Sequence, residues 1–232
     1  MKRTLVISDI HGCNEQLNAL LHEVKFESSK DQLILLGDYV DRGPHSKEVV
    51  ECVMDFVENH QAVALRGNHD QRLVDLVQIG NAEIRHKFLE HGGKETFESY
   101  TGEEFFLDSF DQVLKQIRSQ YERHIDFLKN LPLYYEDQEH IYVHAGINPS
   151  YTNWKEQSDH DFMYIKGDFH HAKLSAEKVN VFGHTRTIEL HHTSDIWFSE
   201  GKIGIDGGCA YGMQLNCLIY QDGVYSTHYV KR

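Results

Sequence analysis

The stretch that decides the fold reads Gly37-Asp38-Tyr39-Val40-Asp41-Arg42-Gly43. A short apolar run, Leu33 to Leu36, comes directly before it, and Gly43-Pro44 is a turn signal at its end. Two carboxylates and a guanidinium therefore follow at once on a predicted buried strand. A loop that only has to be soluble needs one acid, so this density of charge predicts a functional group if the rest of the chain supplies partners for it.

The order of strand, polar loop and helix occurs three times in the first eighty residues. Leu5-Val6-Ile7 leads to Asp9-Ile10-His11-Gly12, and the run from Ala62 to Leu65 leads to Arg66-Gly67-Asn68-His69-Asp70. Apolar residues at helical spacing follow each loop, first from Asn14 to Phe26. Such alternation predicts right-handed crossovers and a largely parallel sheet, with all three polar loops on one edge.

The rest of the chain predicts helices and then a second sheet. Residues 81–131 carry helical stripes, and the last hundred residues favour strands in a mixed or antiparallel sheet. Two of these strands end in His144 and His184. Two packed β-sheets flanked by helices, an α/β fold, is the economical architecture. No Pro/Ser-rich linker or repeat interrupts it, so residues 1–232 are predicted to form a single domain.

Composition excludes several classes of function. The chain has 232 residues with 36 acidic against 23 basic side chains, a net charge of −13, which argues against a basic nucleic-acid-binding surface. Its four cysteines are widely spaced without a Cys-x-x-Cys pair, as in a reduced cytosolic protein. No signal peptide is evident, and no apolar run approaches the ~20 residues needed to span a bilayer. We expect a cytoplasmic protein without a membrane partner.

Nine polar residues stand where predicted strands end: Asp9, His11, Asp38, Asp41, Arg42, Asn68, His69, His144 and His184. Carboxylate, imidazole and amide groups are the ligands of divalent manganese, iron or zinc. The absence of cysteine from the set argues against a structural zinc site. Each residue alone could be a turn or cap residue. Together they favour a two-metal hydrolase, in which a bridging carboxylate joins ions ~3.5–4 Å apart.

These motifs, in this order, resemble the phosphoprotein phosphatase family of calcineurin-like metallophosphoesterases. The matching segments are Asp-x-His-Gly, Gly-Asp-x-Val-Asp-Arg-Gly, Gly-Asn-His-Asp, His-Ala-Gly and Gly-His-Thr, from Asp9 to His184, with a weaker match at Ile205-Asp206-Gly207-Gly208-Cys209. Within the family the chain most resembles the small bacterial and phage branch, of which the phage lambda phosphatase is an example. The resemblance implies a four-layer αββα sandwich.

The resemblance also implies roles, residue by residue. Asp9 and His11 resemble ligands of the first metal, Asp38 the bridging carboxylate, and Asn68, His144 and His184 the other ligands of the second metal. His69 resembles the general acid, which Asp41 orients, and Arg42 resembles the phosphate-binding guanidinium. An imidazole paired with a carboxylate is expected to stay protonated to a higher pH. Two divalent ions are implied, with manganese the first expectation and iron, zinc or cobalt as alternatives.

Four residues leave alternatives open. Lys166, in Tyr164-Ile165-Lys166, stands where the branch carries a phosphate-binding arginine, and it is either a point charge for phosphate or a solvated lysine. Arg66 either contacts phosphate or anchors its loop. Asn68 is a candidate for substrate binding as well as for metal. Asp70 replaces the glutamate of the family's protein phosphatases and resembles the symmetrical dinucleoside-tetraphosphate hydrolases, whereas Asp41 favours a protein phosphatase.

Three functions follow in order. The first is a two-metal phosphomonoesterase of the serine/threonine protein phosphatase type, in which a metal-bridging hydroxide attacks in line and His69 protonates the leaving oxygen. Its partner would be a phosphoprotein or a small phosphorylated substrate. The second is a symmetrical dinucleoside-tetraphosphate hydrolase or a related nucleotide or RNA-cap pyrophosphohydrolase. The third is a non-catalytic metal-binding scaffold. The oligomeric state is left open, with a monomer as the expectation.

Overall fold

Two five-stranded mixed β-sheets form the centre of the molecule in the computed structural model, which describes residues 2–173 and 178–232. The strands in chain order are β1 (Arg3–Ile7), β2 (Asp31–Leu35), β3 (Val63–Ala64), β4 (Tyr134–Glu136), β5 (His140–Val143), β6 (Val179–Phe182), β7 (Trp197–Ser199), β8 (Lys202–Gly204), β9 (Gln214–Gln221) and β10 (Val224–Lys231). The first sheet has the order β10-β9-β1-β2-β3, and the second has the order β4-β5-β6-β8-β7.

Helices cover the outer faces of both sheets. They are α1 (Asn14–Glu23), α2 (Ser46–His60), α3 (Asn68–Gln78), α4 (Ala82–Glu90), α5 (Gly93–Thr101), α6 (Phe110–Gln120), α7 (Glu122–Asn130), α8 (Asp159–Tyr164), α9 (Gly167–His171) and α10 (Thr187–His191). No helix in the described ranges is both long and apolar enough to cross a membrane.

The apolar strands are buried on both faces, which explains their continuous rather than alternating hydrophobicity. Leu33 and Leu35 of β2 pack in the core beneath the helices, whereas Ile34 packs in the core between the two sheets. On the far side, Val143 of β5 packs with Phe162 of α8 in a third core. The predicted α/β arrangement of helix, sheet, sheet and helix layers is therefore confirmed.

The threefold alternation places the polar loops as predicted. β1, β2 and β3 are parallel neighbours, as are β5, β6 and β8, and their carboxyl ends converge on one edge of the sandwich. The third predicted strand is shorter than expected. Leu65 still donates its backbone N–H to the carbonyl of Leu35, and the chain then turns away, since the N–H of Arg66 donates to the carbonyl of Pro132.

Helix α1 ends at Glu23, not at Phe26 as its periodicity indicates. Lys25 adopts a left-handed conformation with φ of 53°. The backbone N–H of Phe26 donates to Leu21 and that of Lys25 donates to His22, which is the Schellman pattern of a helix end. Phe26 stays packed on the core after the helix has stopped. Because Phe26 is partly buried beyond the last helical turn, the helical spacing of apolar residues in the sequence continues past the end of the helix.

Candidate metal centre

The loops at the converging strand ends hold an unusual backbone. Among the described residues, ten non-glycine residues have positive φ, and six of them belong to the predicted site: Asp9, His11, Asp38, Asp41, Arg42 and His184. Such conformations are uncommon outside glycine and cluster at functional sites, where surrounding contacts hold them in place. The site is therefore built on a backbone that requires specific support.

The Asp38 carboxylate lies at the centre of the cluster. Its Oδ2 is 3.4 Å from Nε2 of His11, and its Oδ1 is 3.5 Å from Nε2 of His144. Two groups of side chains are close enough to hold an ion, one made of His11, Asp38 and His69 and the other of Asp38, His144 and His184. Asp38 is common to both, which is the geometry that a bridging carboxylate requires.

Backbone carbonyls set the orientation of two imidazoles. Nδ1–H of His11 donates to the carbonyl of Val40 at 2.7 Å, and Nδ1–H of His144 donates to that of Leu36 at 2.9 Å. Since a carbonyl only accepts, both rings present an unprotonated Nε2 toward Asp38. Burial lowers the pKa of both histidines, and also that of His184, so the rings are neutral as metal ligands must be.

Asp9 and Asn68 complete the set from the adjoining strand ends. Oδ2 of Asp9 accepts from Ser8 Oγ and from the backbone N–H of His184, and burial raises the pKa of Asp9 to about 6. Oδ1 of Asn68 lies 3.0 Å from Nε2 of His144 and 2.9 Å from Nδ1 of His184. The structure thus brings all six predicted metal ligands together, although Asp9 lies outside the two closest groups.

The Arg42 guanidinium spans two of these histidines. Its Nη1 donates to Nε2 of His11 at 2.5 Å, and its Nη2 donates to Nε2 of His69 at 2.8 Å. A metal ion on His11 would use the same lone pair, so the guanidinium has to move when an ion binds there. Oxygen and imidazole donors surround Asp38 on both sides, and this donor set fits two divalent ions.

His69 is held from behind by Asp41, and Asp41 by Thr96. His69 Nδ1 lies 2.6 Å from Oδ2 of Asp41, whose Oδ1 accepts from the Thr96 hydroxyl at 2.7 Å. The same hydroxyl accepts the backbone N–H of Asp41 at 2.8 Å. Burial lowers the pKa of His69, aided by the charge of Arg42, and burial raises the pKa of Asp41 to about 8. The expectation that Asp41 keeps this imidazole protonated is therefore wrong here, because burial outweighs the pairing.

Asp70 supports the backbone and does not face the substrate side of the cluster. Its carboxylate accepts the N–H groups of Gly67, Asp38 and Tyr39 at 2.8–2.9 Å. Gly67 fits so closely beneath that a Cβ there would lie 2.1 Å from Oδ1 of Asp38. The residue that the sequence offered as a marker of substrate is fully buried and instead fixes the position of Asp38.

The two remaining predicted substrate contacts lie outside the cluster. Arg66 Nη1 donates to the backbone carbonyl of Lys129 at 2.7 Å, which agrees with a loop anchor. Lys166 is exposed, and its charge contributes to the lowered pKa of His184. The sequence analysis missed Thr96 and Arg72. Arg72 Nη1 lies 3.1 Å from His69 Nδ1, and its position one helical turn after His69 was an available signal.

Arg72 also lines a cleft beside the cluster, with a volume of about 830 Å³. Four permanently cationic side chains line it: Arg66, Arg72, Lys87 and Lys129. Three carboxylates, those of Asp75, Glu83 and Asp159, lie among them. The wall nearest the cluster includes His91, whose ring lies 6.1 Å from that of His69, and Tyr164, whose ring lies 6.2 Å from that of His184.

Comparison with known proteins places this geometry in context. The family model described as calcineurin-like phosphoesterase matches residues 2–208. A bis(5'-nucleosyl)-tetraphosphatase PrpE [asymmetrical] of Anoxybacillus flavithermus is 29% identical over 94% of this chain and 90% of its own length. A symmetrical bis(5'-nucleosyl)-tetraphosphatase of Nitrosospira multiformis is 32% identical over 63% of this chain and 44% of its own.

Among solved structures, a protein serine/threonine phosphatase from Saccharomyces cerevisiae is similar over the whole chain and 80% of its own, with a TM-score of 0.63. At 14% identity this likeness shows the fold alone. The comparisons do not single out the phage branch.

The support that Asp70 gives to Asp38 can be tested with Asp70→Asn. An amide has one acceptor oxygen where the carboxylate has two, so one or more of the three backbone N–H groups loses its partner. We expect metal affinity and kcat on p-nitrophenyl phosphate to fall roughly 10–100-fold, as for other residues that orient metal ligands. Metal content and turnover are measured on one preparation, with exposed Asp55→Asn as the control. Full metal affinity and turnover in Asp70→Asn would contradict this role.

The role of Thr96 can be tested with the pair Thr96→Val and Thr96→Ser. Valine removes both hydrogen bonds to Asp41 at nearly constant volume, whereas serine keeps the hydroxyl. Because Thr96 acts on His69 only through Asp41, we expect Thr96→Val to lower kcat on p-nitrophenyl phosphate about tenfold, which corresponds to ~1.4 kcal/mol, with KM nearly unchanged. Thr96→Ser should restore most of kcat. Equal kcat in the valine and serine variants would show that the hydroxyl has no such role.

Proposed function

The chain belongs to the calcineurin-like phosphoesterase family, and we propose that it hydrolyses phosphoanhydride bonds of nucleoside polyphosphates. It is a metal-dependent phosphoesterase, and the open question is the substrate. The sequence alone ranks a serine/threonine protein phosphatase first. The relative that shares 94% of the chain carries the name of an asymmetrical dinucleoside-tetraphosphatase, and the symmetrical relative shares 63% of it. Both names support the second of the three functions, which covers the symmetrical hydrolase and related nucleotide pyrophosphohydrolases.

Asp70 and Asp41, from which the sequence analysis inferred the substrate, do not discriminate between the candidate substrates in the structure. The Asp70 carboxylate accepts hydrogen bonds from backbone N–H groups, and the Asp41 carboxylate is hydrogen-bonded to His69 and Thr96. Both serve the catalytic core, which any phosphate ester or anhydride would use. The choice of substrate therefore has to depend on what surrounds the core.

The cationic cleft next to His69 is the observation that carries this proposal. Its volume of about 830 Å³ is within the usual range for small-molecule sites. Four cationic side chains against three carboxylates is a local excess of positive charge in a chain with 23 basic and 36 acidic residues. Arg72 contacts His69 through Nη1 and also lines the cleft. A leaving group that carries phosphates of its own would be stabilised there.

The metal ligands in this proposal are those of the sequence analysis. Asp9, His11 and Asp38 would hold one divalent ion, and Asn68, His144, His184 and the shared Asp38 would hold the other. When bound, the ions supply a hydroxide nucleophile near neutral pH and Lewis acidity at the phosphate. We propose manganese for both ions, and iron, zinc and cobalt would bind to the same ligands.

Three side chains would handle the substrate. The planar Arg42 guanidinium suits two non-bridging oxygens of the scissile phosphate, on which charge accumulates in the transition state. When Arg42 moves onto the phosphate, Nε2 of His69 becomes free to take a proton from water and to donate it to the leaving oxygen as the phosphorus–oxygen bond breaks. Asp41, held by Thr96, keeps the ring in place through Nδ1. The water-derived oxygen stays on the attacked phosphate, so hydrolysis yields two nucleotides.

A protein phosphatase, which the sequence analysis ranks first because of Asp41, is the second candidate. The pair of Asp41 and His69, 2.6 Å apart, would serve its reaction as well as hydrolysis of an anhydride. Its substrate would place a single phosphate in the cluster and leave the cationic cleft to the peptide.

Comparing diadenosine tetraphosphate with a phosphoserine peptide, in excess manganese, tests the proposal. We expect kcat/KM for the dinucleotide to be roughly 100-fold higher, because two further charge-assisted hydrogen bonds at ~1.5 kcal/mol each would form in the cleft. Lys129→Gln should lower only the dinucleotide value, and exposed Lys231→Gln is the matched control. A higher kcat/KM for the peptide would contradict the proposal and favour the second candidate.

A further inference from the structure

Two arginines, Arg42 and Arg186, pack against the ring of Tyr211 beside the cluster. The central carbon of the Arg42 guanidinium lies 5.0 Å from the centre of the Tyr211 ring, and that of Arg186 lies 4.4 Å from the same centre. The two groups are therefore no farther apart than the sum of these distances. Neither Tyr211 nor Arg186 lines the cationic cleft. The stack is a separate feature of the rim.

Tyr211 lies at the end of a short turn between two glycines and is partly exposed to solvent. A single 3₁₀ turn, Cys209–Tyr211, lies between Gly208 with φ of 73° and Gly212 with φ of 80°. A Cβ on Gly212 would meet nothing within 4 Å, so its conformation rather than crowding requires glycine there. Tyr211 is 50% exposed. Its ring supports the two arginines and does not fill the core.

Arg186 is oriented but keeps donors free for a ligand. Its Nε donates to Oε1 of Glu189 at 2.8 Å, which holds the guanidinium plane. Within the described ranges, its Nη1 and Nη2 donate to no acceptor. The neighbouring Asp206 is buried and accepts from the backbone N–H of Gly208. Arg186 therefore offers four N–H donors, on Nη1 and Nη2, next to the arginine that would bind the scissile phosphate.

We propose that Arg186, supported by Tyr211, binds a phosphate group of the substrate beyond the one held by Arg42. The inference rests on the proposed function and deepens it, because the substrate would then need at least two phosphates in one chain. Guanidinium groups bind phosphate oxygens in a bidentate manner at ~2.7–2.9 Å. Two of them packed against one ring can bind different phosphates of the same polyphosphate chain, whereas a lone phosphomonoester reaches only Arg42.

The alternative is that Arg186 packs on Tyr211 only for stability and binds no ligand. An exposed cation–π contact contributes ~0.5–1 kcal/mol, enough to keep an arginine over a tyrosine for stability alone. That alternative predicts no dependence on the number of phosphates. An acidic phosphopeptide is another possible occupant, and it predicts a dependence on flanking carboxylates instead.

Arg186→Gln separates these possibilities in a panel of substrates with manganese. We expect kcat/KM for diadenosine tetraphosphate to fall about tenfold through loss of one charge-assisted hydrogen bond, while kcat/KM for p-nitrophenyl phosphate changes less than about twofold. As a second measurement, the inhibition constant of ADP against p-nitrophenyl phosphate should rise about tenfold, and that of AMP should stay unchanged. Arg123→Gln, which removes an exposed arginine paired with Glu58, is the matched control and should alter neither ratio.

The outcomes distinguish failure of this inference from failure of the proposed function. Equal changes for ADP and AMP, or for both substrates, would overturn the role of Arg186. Selective loss toward a phosphopeptide with acidic flanks would overturn it in favour of a peptide site. If the wild type leaves diadenosine tetraphosphate intact, the proposed function fails, yet an inhibition constant for ADP that depends on Arg186 would still support the second phosphate site.

Discussion

The candidate site depends on one buried carboxylate. Asp70, in the first turn of α3, accepts three backbone N–H groups and so ties the loop after β2 to the start of that helix. Hydrogen bonds to a charged acceptor contribute ~1.5–3 kcal/mol each, which offsets a left-handed backbone that costs ~1–3 kcal/mol at Asp38. Without this support the central carboxylate would not be held where both groups of histidines can reach it.

From Asp38 outward, each functional group is held by one that is farther from the cluster. Backbone carbonyls hold His11 and His144, and Thr96 holds Asp41, which in turn holds His69. The guanidinium of Arg42 is the exception. It lies between His11 and His69 and stacks on Tyr211. A fixed set of ligands, with one cation whose hydrogen bonds could pass to the phosphate, suits a reaction in which charge builds up on a transferred phosphate.

The sequence predicts the architecture well because the signal is local. Continuous apolar runs such as Leu33 to Leu36 mark strands that are buried on both faces. Each run ends in a short motif, and the residues of that motif lie close together in the folded protein. What it missed is non-local. Thr96 is 55 residues from Asp41, and Tyr211 is farther still from Arg42. The sequence analysis expected a raised pKa for His69, but burial lowers it. The pairing with Asp41 is visible in the motif, whereas the depth of burial is not.

Asp70 shows the limit of reasoning from a motif. The choice between aspartate and glutamate at this position suggested a substrate, but the side chain points into the backbone beneath Asp38. Substrate choice is instead expected from residues outside the motifs, in the cationic cleft and on the Tyr211 stack. Those surfaces are assembled from helices and turns distant in sequence, so no single stretch reveals them.

A crystal structure with manganese and phosphate, with anomalous scattering recorded at the manganese edge, tests the central claim most directly. The account predicts two anomalous peaks ~3.5–4 Å apart, each bound by one oxygen of Asp38, with Arg42 moved from His11 onto the phosphate. A single peak, or two peaks of which only one contacts Asp38, would contradict it.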